Sequence, residues 1–378
     1  FVGYTAGDAT TTAGNNTAVG YKALTANTTG NENTSLGFQA LRDSTTATGN
    51  TAVGMNSLAL NTTGGDNVAV GRDALISNTT ASNNTAVGKS ALTSNTTGTR
   101  GSALGNLALS SNTTGNNNTA LGSQSLQANT TANDNTAVGY ASLNVNTTGS
   151  SNTAVGKGAL IANTTGANNV AVGKSALVVN TTGAGNTALG LETLQANTTA
   201  NYNTAVGFQA LALNTTGTYD TASGYRALFN NTTGSYNAAY GRLSLEANTT
   251  GNENTAIGNA ALNLSTTGIN NTSVGSASLG ANTTGSHNTS VGQSALPVST
   301  TGQYNVASGY ESLKANTTGS GNTGIGRQSG DTTTSGNYNI FVGPSTRGAG
   351  TTNDQEIVIG TQGGGNVVGK GANTGYMQ

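Results

Sequence analysis

The polar and apolar positions of this chain repeat with a fixed period of 17 residues. A clean copy spans residues 16–32 and reads Asn-Thr-Ala-Val-Gly-x-x-Ala-Leu-x-x-Asn-Thr-Thr-Gly-x-x. Glycine follows the Thr-Ala-Val segment at 22 successive positions from Gly3 to Gly360, and leucine recurs at 18 successive positions from Leu24 to Leu313. A period kept without insertion or deletion is typical of a solenoid, in which each unit stacks only on its neighbours.

The residues of the unit favour strands over helices. Asn, Thr, Val and Gly have low helix propensity, and two glycines in most units are too many for helices of ordinary length. We expect two short strands per unit, one around Thr-Ala-Val and one around Ala-Leu, each followed by turn residues. The prediction is an all-β, parallel β-solenoid (a β-roll) of about 22 coils of 17 residues. At ~4.8 Å per coil, it would form a rod on the order of 100 Å long.

Stacked coils would place identical residues above one another along the solenoid axis. We expect leucine and valine ladders to fill the interior, and asparagine ladders to hydrogen-bond side chain to side chain. The structural ladders predicted in this way include those of Gly20 and Gly37, Leu24 and Leu41, Asn16 and Asn33, and Asn27 and Asn61.

The repeat is regular over residues 1–322 and then decays. Beyond Leu313, Gly330 replaces the next leucine, and a bulkier strand appears at 356–360. Terminal coils of a solenoid lack a neighbour on one side, so their residues have to differ. We therefore predict a regular repeat over 1–322, and degenerate terminal coils with a transition to a further C-terminal segment over 323–378.

Adjacent apolar pairs in each unit, such as Ala18-Val19 and Ala23-Leu24, indicate that one chain does not cover all of its apolar surface. Neighbours in a strand point to opposite faces, so both faces would carry apolar side chains. This favours a homo-oligomer in which the small alanines lie at the contact between copies. The alternative is a thin single solenoid whose alanines lie on a half-exposed face.

The segment Asn-Thr-Ala-Val-Gly-Tyr-Lys-Ala-Leu (16–24) resembles the head repeats of trimeric autotransporter adhesins. It is more similar still to the Asn-Thr-Ala-Val-Gly-Tyr-x-Ala-Leu arrays of bacteriophage tail-fibre proteins and related bacterial surface fibres. The resemblance extends over nearly the whole chain, although the unit is longer than that of the adhesin heads. It implies an extracellular homotrimer of left-handed parallel β-rolls, on a virion tail or a bacterial cell surface. The implied function is that of a structural shaft for reach and attachment to a host surface.

The composition argues against several other classes of function. Charged residues make up 7% of the chain, the formal net charge is −1, and no basic stripe is present. We therefore expect no nucleic-acid binding through phosphate neutralisation. No run of 18 apolar residues and no basic amphipathic segment indicates membrane insertion. The chain has no cysteine and no calcium-type repeat motif, so neither disulfides nor a metal site is expected.

No catalytic residue is predicted, and we expect neither an enzyme nor a bound cofactor. The single histidine, His287, occupies a variable loop position with no recognisable nucleophile beside it. The Gly-Lys-Ser tripeptides at 88–90 and 173–175 lack the glycine that a phosphate-binding loop requires five residues earlier.

The Asn-Thr-Thr segments allow two further interpretations. Asn27, Asn61 and Asn78 lie in Asn-x-Thr sequons and would be glycosylation acceptors in a suitable secretory pathway, unless they are ladder residues of the coil. The alternative function is accordingly a self-assembling, glycosylated extracellular filament without a receptor role. Threonine ladders at β-spacing could also bind ice, although at most one of two adjacent threonines faces outward. Ice binding is the more distant alternative.

Aromatic residues concentrate at variable positions near the middle of the chain, although aromatics make up only 4% of all residues. Exposed rings suit the flat apolar faces of sugars, because an aromatic side chain gives a large contact area at a low entropy cost. The alternative interpretation is local repacking and covering of the surface. The predicted glycan or receptor contact patch consists of Tyr202, Phe208, Tyr219, Tyr225 and Tyr236.

Overall fold

The computed structural model describes residues 1–361 and 367–377. All regular secondary structure in this part of the chain is β-strand, arranged as a parallel β-solenoid with one strand every 17 residues over most of its length. The predicted all-β parallel solenoid is therefore confirmed. The chain divides into two compact units, Phe1–Asn186 and Thr187–Gln378.

The first unit places one three-residue strand in each coil. Each strand pairs in parallel with the strand of the next coil, so that Thr17 lies beside Thr34 and Val19 beside Leu36. An isolated bridge from Val2 to Val19 extends the ladder by one coil. The strands are β1 (Thr17–Val19), β2 (Thr34–Leu36), β3 (Thr51–Val53), β4 (Val68–Val70), β5 (Thr85–Val87), β6 (Ser102–Leu104), β7 (Thr119–Leu121), β8 (Thr136–Val138), β9 (Thr153–Val155) and β10 (Val170–Val172).

The second unit continues the same pattern and ends in bulkier strands. Its strands are β11 (Thr187–Leu189), β12 (Thr204–Val206), β13 (Thr221–Ser223), β14 (Ala238–Tyr240), β15 (Thr255–Ile257), β16 (Thr272–Val274), β17 (Thr289–Val291), β18 (Val306–Ser308), β19 (Thr323–Ile325), β20 (Ile340–Val342), β21 (Thr346–Arg347), β22 (Ile357–Ile359), β23 (Val367–Val368) and β24 (Gly375–Met377). The main ladder ends in the order β20, β22, β24, and β21 pairs with β23 in a separate small sheet. Phe341 and Val358 fill the interior of the last coils.

The segment around Ala-Leu forms a turn, so the expected second strand is wrong. Ala23 and Leu24 are both fully buried, and Leu24 has a φ of +51°. This left-handed conformation costs roughly 1–2 kcal/mol. Burial of the leucine side chain, worth about 2 kcal/mol, offsets that cost. The Leu24 N–H also donates to the carbonyl oxygen of Ala40 in the next coil at 3.0 Å, so the turn keeps its hydrogen bonds between coils.

Alanine, leucine and asparagine line the interior, while valine lies on the outer side of the strand. The middle residue of each strand points inward, so Ala18 is fully buried and Val19 is half-exposed. The leucines, including Leu24 and Leu41, are buried as predicted. The expectations that valine fills the interior and that alanine forms the contact between copies are wrong. Leucines from the turn already occupy the narrow coil, and only a small side chain fits opposite them.

The glycine after each strand permits the coils to stack at strand spacing. Gly20 and Gly37 have φ values of +133° and +142°, a region that residues with a side chain rarely adopt. A Cβ atom on Gly20 would lie 2.5 Å from the carbonyl oxygen of Gly37 in the next coil. Since that neighbour is backbone, no side-chain movement could relieve the clash.

The asparagine that opens each unit joins neighbouring coils through its side-chain amide. Asn33 Oδ1 accepts a hydrogen bond from the backbone N–H of Asn50 at 3.0 Å, and Asn33 Nδ2 donates to the carbonyl oxygen of Ala47 at 2.8 Å. Asn16 begins this ladder, with its Oδ1 accepting from the N–H of Asn33 at 2.9 Å. These bonds satisfy amides that would otherwise be buried at a cost in free energy.

The asparagines of the Asn-Thr-Thr segments form a second ladder inside the coil. Asn78 Nδ2 donates to Asn61 Oδ1 at 2.8 Å and to the carbonyl oxygen of Ala81 at 2.9 Å. The ladder is interrupted where Ser44 replaces an asparagine. Asn27 Oδ1 and Ser44 Oγ are then buried without a hydrogen-bond partner, because the serine side chain is too short to reach the neighbouring coil.

Ser44→Asn should stabilise the first unit by about 1–2 kcal/mol. The new Nδ2 would donate to Asn27 Oδ1, and the new Oδ1 would accept from Asn61 Nδ2. Chemical denaturation of the full chain measures the gain. The control is Ser77→Asn, at a half-exposed position outside this ladder. It should change the free energy of unfolding by less than about 0.5 kcal/mol. An equal effect of the two substitutions would contradict the ladder argument.

Candidate binding surface

The described residues enclose no pocket, so their candidate binding sites lie on the outer surface. Around each coil, side chains point outward two residues before the strand, at its first and third residues, and two residues after it. In the coil of β12 these residues are Tyr202, Thr204, Val206 and Phe208, and all four are exposed. Stacking of the coils within a unit turns each of these positions into a column.

The five aromatic residues predicted as one contact patch lie in two separate columns. The tyrosine column consists of Tyr202, Tyr219 and Tyr236, whose successive ring centroids are 5.1 and 5.2 Å apart. The second column contains Phe208 and Tyr225, whose ring centroids are 5.5 Å apart. The outward residues of the strands separate the two columns. All five side chains are exposed, but they do not form a single surface.

Stacking covers the ring faces and leaves the ring edges in water. Tyr219 is covered by Tyr202 on one face and by Tyr236 on the other, and it is accordingly the least exposed of the three at 49%. On the other column, the guanidinium carbon of Arg242 lies 6.0 Å from the ring centroid of Tyr225. A flat apolar ligand stacks on a ring face. Exposed rings therefore suit sugars only where a ring face is left uncovered.

Sequence reasoning missed two other aromatic stacks. Tyr4, Tyr21 and Phe38 stack in the first unit with centroid separations of 5.8 and 5.3 Å. In the second unit, His287 stacks on Tyr304 at 4.9 Å with an interplanar angle of 1°. His287 is exposed, as expected for a variable loop position. The signal was available in the sequence, because members of a stack are 17 residues apart.

An aliphatic column runs along the outer strand face of the first unit. It is formed by the third residue of each strand, and all of its members are half-exposed or exposed, with Leu36 at 47% and Leu104 at 51%. In the second unit, Ser223, Tyr240 and Ser308 interrupt the corresponding column. The aliphatic column consists of Val19, Leu36, Val53, Val70, Val87, Leu104, Leu121, Val138, Val155 and Val172.

The candidate glycosylation residues Asn27, Asn61 and Asn78 are fully buried. Their Nδ2 atoms donate to carbonyl oxygens within the same coil, at 2.8 Å from Asn61 to Gly64 and at 3.1 Å from Asn27 to Gly30. A sugar attached to Nδ2 would have to replace these bonds and pass through the wall of the coil. The folded unit has no space for it, so the fold conflicts with glycosylation at these positions and fits their interpretation as ladder residues.

The two adjacent threonines of each unit have different environments. Thr28 Oγ1 donates to the carbonyl oxygen of Thr45 at 3.1 Å, and Thr45 Oγ1 donates to that of Thr62 at 3.2 Å. Thr29 and Thr46 are exposed. Within the Asn-Thr-Thr segments, the outward threonines therefore form one column of hydroxyl groups that faces water.

Asp220 occupies a position of the opening asparagine ladder and is fully buried. Desolvation raises its pKa to about 7, against the opposing effect of hydrogen bonds from the backbone and side chain of Asn237. Asn231 Nδ2 donates to the other carboxylate oxygen at 3.2 Å. Asp220 is enclosed inside the coil, so it has no direct role in binding a ligand on the outer surface.

The described residues show neither a metal centre nor a membrane span. Within 1–361 and 367–377, no three histidine, aspartate or glutamate side chains are grouped in a way that could hold a metal ion. The same part of the chain contains no apolar helix of membrane-crossing length.

No family model matches this chain, and no curated protein is similar enough to match it.

Proposed function

We propose that this chain is a non-enzymatic structural component of an extracellular fibre, in which copies associate through the aliphatic column. The observation that supports this proposal is a row of valine and leucine side chains on the outer face of a parallel sheet. Parallel sheets occur almost only where both faces are covered. Within the first unit, no element of the chain covers the outer face at this column, as the exposure of Leu36 and Leu104 shows.

A second copy of the chain is the partner that best fits this column. Its ten aliphatic side chains leave an apolar strip on the order of several hundred Å² in water, close to the largest patch that monomers usually expose. A specific interface buries about 800 Å² per partner, which the strip and its flanking threonines could supply. Two columns with the same ~4.8 Å rung spacing can interdigitate along their whole length, as in a steric zipper.

We further propose that the fibre provides reach and attachment to a cell or host surface, on a virion tail or a bacterial cell surface. The similarity of residues 16–24 to tail-fibre and adhesin repeats supports this function and a homotrimeric state. The exposed aromatic residues of the second unit are candidate contacts for such attachment where a ring face is uncovered. The second candidate is a self-assembling filament without a receptor role, and the same aliphatic column supports it. An attachment fibre should bind cells when the isolated particle is mixed with them, whereas a filament without a receptor role should not.

Introducing lysine side chains into the aliphatic column should abolish self-association. We expect the full chain to have a native mass of three times its 37.1 kDa. The double variant Val87→Lys and Leu104→Lys should be monomeric, because facing lysines would be buried without a counter-charge. Light scattering coupled to size-exclusion chromatography measures both masses.

The matched control places two lysines on the exposed threonine column of the same unit, as Thr97→Lys and Thr114→Lys. This variant should keep the native mass of the unchanged protein. A mass of 37.1 kDa for the unchanged chain would contradict the proposed association. A multimer that both double variants retain would show that association uses another surface.

A further inference from the structure

In one coil of the second unit, a glycine occupies a position at which the coils before and after it carry a tyrosine. Tyr304, Gly321 and Tyr338 occupy the same position in three successive coils, two residues before β18, β19 and β20. In the coils of β12, β13 and β14, that position carries the three stacked rings of the tyrosine column. Gly321 has no side chain to place between Tyr304 and Tyr338, and the ring of Tyr338 leans toward the vacant position. The space between the rings of Tyr304 and Tyr338 is called the slot.

The two tyrosine rings that border this slot are exposed. Tyr304 stacks on His287 through one face, and its other face is directed toward the slot. The ring of Tyr338 leans over Gly321, since a Cβ atom on Gly321 would lie 2.6 Å from Cδ1 of Tyr338. Tyr304 is 61% exposed and Tyr338 is 67% exposed, slightly more than the outer rings of the complete stack, Tyr202 at 56% and Tyr236 at 59%.

With the ring of Tyr338 raised to the level of its own coil, the slot would have the thickness of one six-membered ring. Two coils at ~4.8 Å each separate the rungs of Tyr304 and Tyr338 by about 10 Å. In the complete stack, the middle ring lies 5.1 Å from one neighbour and 5.2 Å from the other. A flat ring held between Tyr304 and Tyr338 would therefore restore the ordinary stacking distances, with the ring of Tyr338 raised from Gly321 to its own rung.

Neutral polar groups border the slot on one side. Gln303, Ser320 and Asn337 each precede a member of the slot by one residue. They are held in order by hydrogen bonds from the Gln303 N–H to Ser320 Oγ at 3.1 Å and from the Ser320 N–H to Asn337 Oδ1 at 2.9 Å. Amide and hydroxyl groups bind the hydroxyl rim of a sugar, whereas the apolar faces of a pyranose fit against tyrosine rings.

We propose that a single pyranose ring binds between Tyr304 and Tyr338 above Gly321. This site rests on the proposed attachment function and specifies it: a cell-surface glycan would contact the fibre here rather than at the tyrosine column, where the ring faces are already covered.

Filling the slot should remove the binding of pyranosides to the full chain. Saturation-transfer NMR with methyl β-glucopyranoside, methyl β-galactopyranoside and N-acetylglucosamine should detect at least one ligand with a Kd on the order of 1 mM, typical of so small a ligand. Gly321→Tyr should reduce the signal at least about fivefold. The backbone at this position accepts tyrosine, because Gly321 has a φ of +69° and Tyr219 adopts +59° at the same position of its coil. The flexible side chain of Tyr338 has to move away, because a Cβ atom at position 321 would lie 2.6 Å from its Cδ1. Tyr304→Ala, an exposed truncation that leaves the core intact, should give the same loss.

Tyr219→Ala is the matched control, since it removes a ring from the complete stack and creates a new slot without closing the original one. It should bind pyranosides at least as well as the unchanged chain. No binding of any of the three sugars, or full binding by Gly321→Tyr, would overturn the proposed site. Failure of the fibre proposal would be seen separately in the native masses of the Val87 and Leu104 variants, because the slot lies wholly within the second unit.

Discussion

Gly156→Ala should strongly destabilise the first unit, whereas Gly158→Ala, two residues away, should change its stability little. Gly156 has a φ of +132°, and a Cβ atom there would lie 2.6 Å from the carbonyl oxygen of Gly173 in the next coil. Gly158 has a φ of +65° and no atom within 4 Å of an added Cβ. Non-glycine residues already occupy the equivalent position in other coils, including Ser90 with a φ of +57°.

The difference in the free energy of unfolding between these two variants measures how much the close stacking of the coils depends on the glycine that follows each strand. Gly156→Ala combines backbone strain with a backbone clash, which together should cost about 3 kcal/mol or more. Gly158→Ala should change the free energy of unfolding by less than about 1 kcal/mol. Thermal unfolding followed by circular dichroism tests both in the full chain. Similar melting temperatures for the two variants would show that the spacing between coils is not set by the glycine ladder.

Asp220→Asn should stabilise the second unit by up to about 4 kcal/mol above pH 7, and by little near pH 4. Burial raises the pKa of Asp220 to about 7 from an ordinary value of 3.8. The carboxyl group accepts hydrogen bonds only from Asn231 and Asn237 among the contacts described, and no cation lies among them. An asparagine would provide the Nδ2 donor that other members of this ladder use between coils, as Asn237 does toward Gly251.

The direction of this pH dependence follows from whether the folded or the unfolded chain retains the proton of the Asp220 carboxyl group. Below about pH 4, Asp220 is protonated in both the folded and the unfolded chain, so it contributes no pH dependence. Between 3.8 and about 7, the folded chain keeps the proton that the unfolded chain has lost, and stability falls as the pH rises. Above about 7, both states are ionised and the full penalty of burying the charge remains.

Urea denaturation at about pH 4 and about pH 8 tests this prediction in the full chain. The stability difference between Asp220→Asn and the unchanged protein should grow across that interval. Glu253→Gln is the control, because it removes an exposed carboxylate from the same unit. It should produce a much smaller change. A constant difference for Asp220→Asn at both pH values would contradict the assignment of a buried, proton-retaining carboxyl group.

The 17-residue period predicts which exposed residues form columns on the candidate surface. It does not predict which ring faces remain uncovered for a ligand. Residues 17 apart are neighbours in adjacent coils, so the stacking of Tyr202, Tyr219 and Tyr236 follows from their spacing. The same spacing implies that these rings cover each other, which weakens the site predicted there. The slot at Gly321 could be recognised only once the neighbouring rings and their exposure were known.

Periodicity alone settles the parallel stacking, the register and the glycine and asparagine ladders, because an unbroken period of 17 residues aligns each position with its own copy. Alternation in a strand states that Ala18 and Val19 face opposite ways, but not which of them faces inward. Closure of the coil decides this: Leu24 enters the interior from a left-handed turn and leaves room only for a small side chain, such as that of Ala18, opposite it. The valines are thereby placed outside, where they form the surface on which the proposed association depends.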